Sequence, residues 1–342
     1  MKNLPIAIWA GHRILPNDAK SSVKIDILKR EIEYLLNSGY QFIDVSELKK
    51  IADNGNTENK KYTMFTFDDG WADNHLYGTE LLKELGVKAV IAVSTGLIDK
   101  SSFAVRTKKE YSVIDAKIAL SEAIYNSNKK SFLTKGELIE MQKSGVWDIQ
   151  AHGESHLGCY SNVKEIKGFY PKAEHWSMKY ALSGDLFEGA PKTKLTSILS
   201  APKTKLDEIF KEYLKNAVSD REREKICKSF VNPILKTEDL KQFSERVADE
   251  LKECKQWFLN EIKKNVTAMF WPWGQYSADS IKAADNAKFM MCFSTEKRAF
   301  TYGTSIMEIP RVSLPDDFIK FKNYERIFNS QIRSRLRRIF TH

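Results

Sequence analysis

Two adjacent carboxylates, Asp68 and Asp69, follow the apolar run Met64 to Phe67 and precede Gly70. Acidic residues at the end of a strand stand where active sites form in parallel α/β folds. An Asp-Gly step is equally a common turn dipeptide, so this pair alone has two readings. A second feature is the pair His152 and His156 in AHGESHLG, directly after the strand-like Val146 to Ala151. Imidazoles four residues apart on one helical turn point the same way, about 5–6 Å apart, which suits a single metal ion. With one carboxylate they make a common catalytic zinc set that leaves a position open for water. The alternative is a surface turn carrying two unrelated histidines, in a chain that has only six. A third feature is FWPWGQYS, Phe270 to Ser277, again at a strand end. Trp271, Trp273 and Tyr276 around Pro272 and Gly274 could form a rigid aromatic wall for the apolar face of a sugar ring. Otherwise they are core, the commoner fate of large apolar side chains.

The elements that must position these residues alternate in type. Pro5 to Ala10 reads as a short strand; Leu28, Ile32, Leu35 and Leu36 recur at helical spacing, with Gly39 where a helix ends. Gln41 to Val45 and Tyr62 to Phe67 are further strands. Leu81 to Leu85 closes a helix at Gly86, and Val87 to Val93 is a continuous apolar run expected of a strand covered on both faces. Thr134 with Glu137 makes a capping box that opens a helix through Met141. Strand signals return at Val266 to Phe270 and Phe289 to Phe293. This alternation predicts a parallel sheet with helices outside it, as a barrel or a doubly wound sheet. Between about 160 and 264 the chain turns rich in Lys and Glu and reads as a helical insertion. Its short duplication APKTKL, at Ala190 and again at Ala201, is incidental.

Of the 342 residues, 42% are hydrophobic and 29% charged, an ordinary globular composition with room for a large core. Cys159, Cys227, Cys254 and Cys292 are far apart without a CxxC pair, which favours free thiols over a disulfide framework or a thiolate zinc site. The short apolar stretch near the N-terminus is broken by Gly11, His12 and Arg13, so no signal peptide is read there, and the cytoplasm is the expected location. No run approaches the roughly 18 apolar residues that a membrane span needs. The net charge of +9 is concentrated in the tail: from Phe321 to His342 six basic residues stand against Glu325.

In order along the chain, TFDDG (66–70), HGESH (152–156), WPWG (271–274) and IPRV (309–312) resemble the motifs of the polysaccharide deacetylase family, the NodB-homology domain. The segment IAIWAGHRILP (6–16) is similar to the opening Y-H-R-V-type segment of its poly-N-acetylglucosamine deacetylase-like branch. The resemblance spans roughly residues 5–158 and 265–315. It implies a distorted (β/α)7 barrel and a hydrolase that removes an acetyl or formyl group from an amino sugar of a polysaccharide or glycolipid precursor. Carried over by position, Asp68 would be the general base, and Asp69, His152 and His156 the ligands of a divalent metal, zinc first. The N–H of Trp273 would donate to the oxyanion, a contact typically worth ~3 kcal/mol. Trp271, Trp273, Tyr276 and Arg311 are the expected substrate-contacting residues.

Two positions depart from the family pattern. Phe270 stands where an arginine usually orients the base, and Arg311 is the candidate to replace it from a neighbouring strand. No histidine lies between Ile309 and Phe318 to serve as general acid, although Asp316 and Asp317 do. His12 and His75 are the remaining candidates, and the preferred expectation is that Asp68 acts first as base and then as acid.

The expected organisation is a barrel over 1–320, with the insertion inside it, and a basic amphipathic helix over 321–342. On that helix Tyr324, Ile327, Phe328, Ile332, Leu336, Ile339 and Phe340 share one face and arginines the other. Its apolar face either packs on the barrel or lies on an anionic membrane, where a lipid-linked sugar would be met. Nucleic acid is not an expected partner, because no basic patch with interleaved aromatics occurs outside the tail. Two rival functions are a metal-free barrel glycoside hydrolase, which needs carboxylates about 5–9.5 Å apart across a sugar, and a non-catalytic carbohydrate-binding relative.

Overall fold

Strands and helices alternate through the first half of the chain in the computed structural model, which describes residues 4–17, 22–56, 60–171 and 187–328. That half runs β1 (Ala7–Gly11), β2 (Arg13–Leu15), β3 (Ser22–Lys24), α1 (Ile25–Asn37), β4 (Tyr40–Phe42), α2 (Val45–Asn54), β5 (Lys61–Phe67), α3 (Thr79–Leu85), β6 (Ala89–Val93), α4 (Ala116–Tyr125), α5 (Lys135–Ser144) and β7 (Trp147–Ala151). The rest is β8 (Gly158–Tyr160), β9 (Leu195–Ser197), β10 (Thr204–Leu206), α6 (Glu208–Asn216), α7 (Asp220–Ser229), β11 (Ile234–Lys236), α8 (Leu240–Ile262), β12 (Ala268–Phe270), α9 (Ala278–Asn286), β13 (Met291–Phe293), β14 (Val312–Ser313) and α10 (Phe318–Phe328). Local signals account for several boundaries. Thr134 caps α5 in a reciprocal pair with Glu137, and Gly86 ends α3 in the left-handed region that glycine adopts without steric cost.

The main sheet is parallel, in the order β13-β12-β7-β6-β5-β1-β14, with β4 beside the start of β5. Its two edges are joined by one segment: Val312 pairs with Trp9 of β1, while Ile309 bridges Phe293 of β13. The sheet is therefore curled into the distorted (β/α)7 barrel expected. Side chains alternate along each strand with a period of two. Ile8, Met64, Val90, Ala92, Ala268 and Phe293 fill the inside of the curl, and their neighbours Trp9, Phe65, Ile91 and Val93 pack outward under the helices. That is why all five residues of β6 are apolar and buried.

The region after β7 differs from expectation in two ways. It is not purely helical, since β8 pairs with β9 and β10 with β11, both antiparallel, around a separate core containing Tyr160, Phe169, Leu206 and Phe210. And α8, read as part of the insertion, is a helix of the barrel: Phe243, Val247, Leu251, Cys254, Phe258 and Ile262 recur every three or four residues and join the main core. The four cysteines are free and buried. Helix α10 begins at Phe318, ahead of residue 321, and spends its apolar face on the barrel. Phe321 lies 4.6 Å from the Trp9 ring and Phe328 is buried, so Phe328 does not face a membrane as the lipid reading would have it. Ile332, Leu336, Ile339, Phe340 and the arginines from 333 onward lie outside the described residues. Among the described residues no helix is long and apolar enough to cross a membrane.

Candidate metal centre

The C-terminal ends of β5, β7 and β12 converge on one buried point. Asp69 leaves β5 with φ of 76°, a left-handed conformation that costs a non-glycine residue about 1–2 kcal/mol, and Gly70 follows with φ of 88°. Strain of this kind persists where the surrounding structure holds it, commonly at functional sites. The turn aims the Asp69 carboxylate at two imidazoles. Its Oδ1 lies 3.4 Å from His152 Nε2 and 3.5 Å from His156 Nε2, and all three residues are buried. Oδ1 has no hydrogen-bond donor, whereas Oδ2 accepts from Trp71 Nε1 at 2.9 Å.

The two histidines are not on a helical turn, contrary to the expectation from their spacing. Residues 152–157 form an irregular loop beyond β7, with Gly153 at φ of 78°, and the rings meet at 5.4 Å between centroids because the loop folds back. His152 Nδ1 lies 2.8 Å from the carbonyl oxygen of Phe270, so Nδ1 carries the proton and the Nε2 lone pair faces Asp69. His156 has its ring edge-on to Trp273 at 5.3 Å.

These donors fit a small divalent cation. A tetrahedral ion with bonds of about 2.0–2.1 Å spaces its ligand atoms by roughly 3.4 Å, the separation of Oδ1 from both imidazole nitrogens. The three residues are the metal-competent group of His, Cys, Asp and Glu side chains found among the described residues. Burial pushes the Asp69 carboxyl up, but His156, His152 and His12 outweigh it and hold the group below the ordinary carboxylate range. Burial also lowers His156, against the pull of Asp69, which keeps the imidazole neutral and able to donate a lone pair.

Asp68 stands beside this group in a different environment. Arg311 reaches across from the segment before β14 and binds both carboxylate oxygens, Nη1 to Oδ1 at 2.7 Å and Nη2 to Oδ2 at 2.8 Å. Its Nε donates to the Ser294 carbonyl at 3.0 Å, and its guanidinium lies 4.9 Å over the Phe270 ring. Burial raises the Asp68 carboxyl, but Arg311 and His152 outweigh it, so Asp68 is ionised at neutral pH.

The remaining expected residues separate. Trp273, half-buried with φ of 56°, and Tyr276 line a cleft of about 640 Å³ together with Tyr160, Tyr170 and Leu195 of the insertion, and the Trp273 ring that meets His156 connects this cleft to the centre. Trp271 is fully buried against Tyr276, and Arg311 is fully buried on Asp68. Neither side chain is exposed to the cleft, unlike the substrate-contacting position expected for both. The backbone direction at a strand end decides this: Trp271 still points under the helices while Trp273, beyond Pro272, turns outward. His75 faces Glu137, Arg106 and Glu140, away from the centre. His12, exposed at the end of β1, interacts electrostatically with both Asp68 and Asp69.

Residues 55–182 match the family model of polysaccharide deacetylases. No curated protein sequence matches the chain. Among solved structures it is similar to the deacetylase PplD of Streptococcus pyogenes, solved in complex with acetate, with 15% identity, a TM-score of 0.58 and coverage of 96% of this chain and 100% of that one. A de-N-acetylase from Aggregatibacter actinomycetemcomitans superposes with a TM-score of 0.59 at 15% identity, covering 93% and 99%. The BpsB deacetylase domain from Bordetella bronchiseptica gives 0.57 at 15%, covering 92% and 97%. At these identities the superpositions establish the fold, and over residues 55–182 the chain is similar to polysaccharide deacetylases.

Proposed function

We propose that this chain is a metal-dependent hydrolase that removes an N-acyl group from an amino sugar within a polysaccharide, with Asp69, His152 and His156 holding the metal. The observation that carries this is Asp69 Oδ1, buried without a hydrogen-bond donor and faced by two imidazole nitrogens at 3.4 and 3.5 Å. The nitrogen-rich donor set favours zinc. A bound divalent cation would acidify water and polarise the acyl carbonyl.

The chain's own residues supply the rest. Asp68, held ionised by Arg311, accepts the proton as water attacks, using lone pairs that the guanidinium leaves free. The left-handed backbone at Trp273 presents its N–H toward the acyl oxygen, where a preorganised donor stabilises developing negative charge. The departing amine takes its proton either from Asp68, once it has served as base, or from His12, exposed just after β1. Trp273 and Tyr276 offer ring faces to sugar units in the 640 Å³ cleft. A lipid-linked substrate and contact with an anionic membrane belong to this proposal on the arginine content of 333–338 alone. Co-sedimentation with anionic liposomes tests that part.

Neither rival reading draws support from the site. A two-carboxylate glycosidase needs acids free to flank a sugar, yet Asp68 is engaged by Arg311 and Asp69 faces imidazoles. The test is acetate and formate release from N-acylated sugars by the wild type and Asp68→Asn, with metal content measured on both. Metal bound in both but release only by the wild type supports the proposal. Metal bound with no release from any acylated sugar would favour a binding protein.

A further inference from the structure

The loop that spaces His152 from His156 has no regular secondary structure, so something outside it must fix the spacing. On one side the turn after β6 does so: Thr95 N–H donates to the Gly153 carbonyl at 3.0 Å and Gly96 N–H to the Glu154 carbonyl at 2.9 Å. A Cβ at Gly96 would stand 2.4 Å from that Glu154 oxygen, which shows how closely the two segments approach. On the other side the amides of Glu154 and Ser155 turn away from the sheet, redirected by left-handed Gly153, and converge on one carboxylate of α8. Glu250 Oε1 accepts from Glu154 N at 3.3 Å, Ser155 N at 3.1 Å and Ser155 Oγ at 3.0 Å. Successive amides facing one way make an anion-binding concavity, and here the anion is internal. Glu250 Oε2 lies 4.0 Å from Arg246 Nη1, and Arg246 is itself gripped by Glu238.

We propose that Glu250 is a positioning residue for the metal centre, its single oxygen clamping the 152–156 loop so that both imidazoles meet Asp69. The inference rests on the metal reading above and concerns a residue of α8 that no motif includes. What the loop needs is an acceptor at the position of Oε1, which a glutamine amide oxygen also supplies.

Zinc affinity of the metal-stripped protein, by competition with a chromophoric chelator, tests it. Outer partners of metal ligands typically contribute about 10–100-fold in affinity, so E250A is expected to bind zinc weaker by that factor, and E250Q within a few-fold of wild type. E250A with wild-type affinity overturns the proposal, as does E250Q as weak as E250A. Should E250A fail to fold, Ser155→Ala, which removes one of the three donors, is expected to weaken zinc several-fold while E250Q does not; wild-type affinity in S155A then overturns the proposal. A wild type that takes up no divalent metal would overturn the metal centre itself, an outcome distinct from equal affinities across the variants.

Discussion

Arg311 holds Asp68 through both terminal nitrogens, at 2.7 and 2.8 Å, although 243 residues separate them in the chain. The pair is buried, so the guanidinium sets both the charge and the orientation of the proposed base. A fork of two parallel bonds is what lysine cannot reproduce. Arg311→Lys is therefore expected to retain metal and fold while kcat falls about 10–100-fold, less than the roughly 10²–10⁴-fold that loss of a general base costs, because the base itself remains. The sign of the pH effect follows from the depressed carboxyl. Activity is present above the Asp68 pKa and lost as pH falls through it, so weakening the pair moves the acid limb of kcat/KM to higher pH. An unchanged pH profile would show that Arg311 does not tune the base.

The strand–helix alternation and the candidate ligands were legible in the sequence because they depend on local pattern. Asp68 and Asp69 end an apolar strand, and His152 and His156 follow another. Arg311 was named as the candidate to orient Asp68, but the contact itself depends on closure of the sheet, because the segment through Ile309 and Val312 bridges β13 and β1. The i, i+4 spacing suggested a helix, but a left-handed glycine between the histidines produces a loop with a similar separation. Helix α8 was hidden by its Lys- and Glu-rich exposed face, although the buried series from Phe243 to Ile262 was periodic throughout.

The indole of Trp273 can be moved without touching the residue. A Cβ added at Gly158 would lie 2.4 Å from the far edge of that ring, so the ring must shift. Gly158→Ala is expected to raise KM for an oligosaccharide several-fold, with zinc affinity changing much less. Wild-type KM in this variant would place substrate elsewhere than on Trp273.

Glu31 predicts a stability effect remote from the site. It is fully buried on α1 with neither carboxylate oxygen hydrogen-bonded, and burial, with Asp316 and Asp317 adding, pushes its pKa up to about 9. Folded protein thus keeps the proton that unfolded chain releases above its ordinary pKa. Stability falls as pH rises between those values, by up to ~1.4 kcal/mol per pH unit. Glu31→Gln is expected to melt well above wild type at pH 8, with the gap narrowing toward pH 5. Equal melting temperatures at both would show that Glu31 has a partner or water access.

Removing a ligand should uncouple metal from fold. Asp69 and its imidazoles are buried, so His156→Ala is expected to lose the thermal stabilisation that zinc gives the wild type, about 2.7 kcal/mol at a hundredfold excess over Kd. Differential scanning calorimetry with and without zinc reads this directly. Equal stabilisation of both proteins would place the zinc elsewhere.

One metal at Asp69, His152 and His156 is proposed to enable N-deacylation, and a zinc titration of metal-stripped protein, following acetate release from N-acetylglucosamine oligomers in the same samples, tests this. Negligible release is expected without metal, then a rise in proportion to bound zinc and a plateau at one ion per chain. Full release after exhaustive chelation would contradict it.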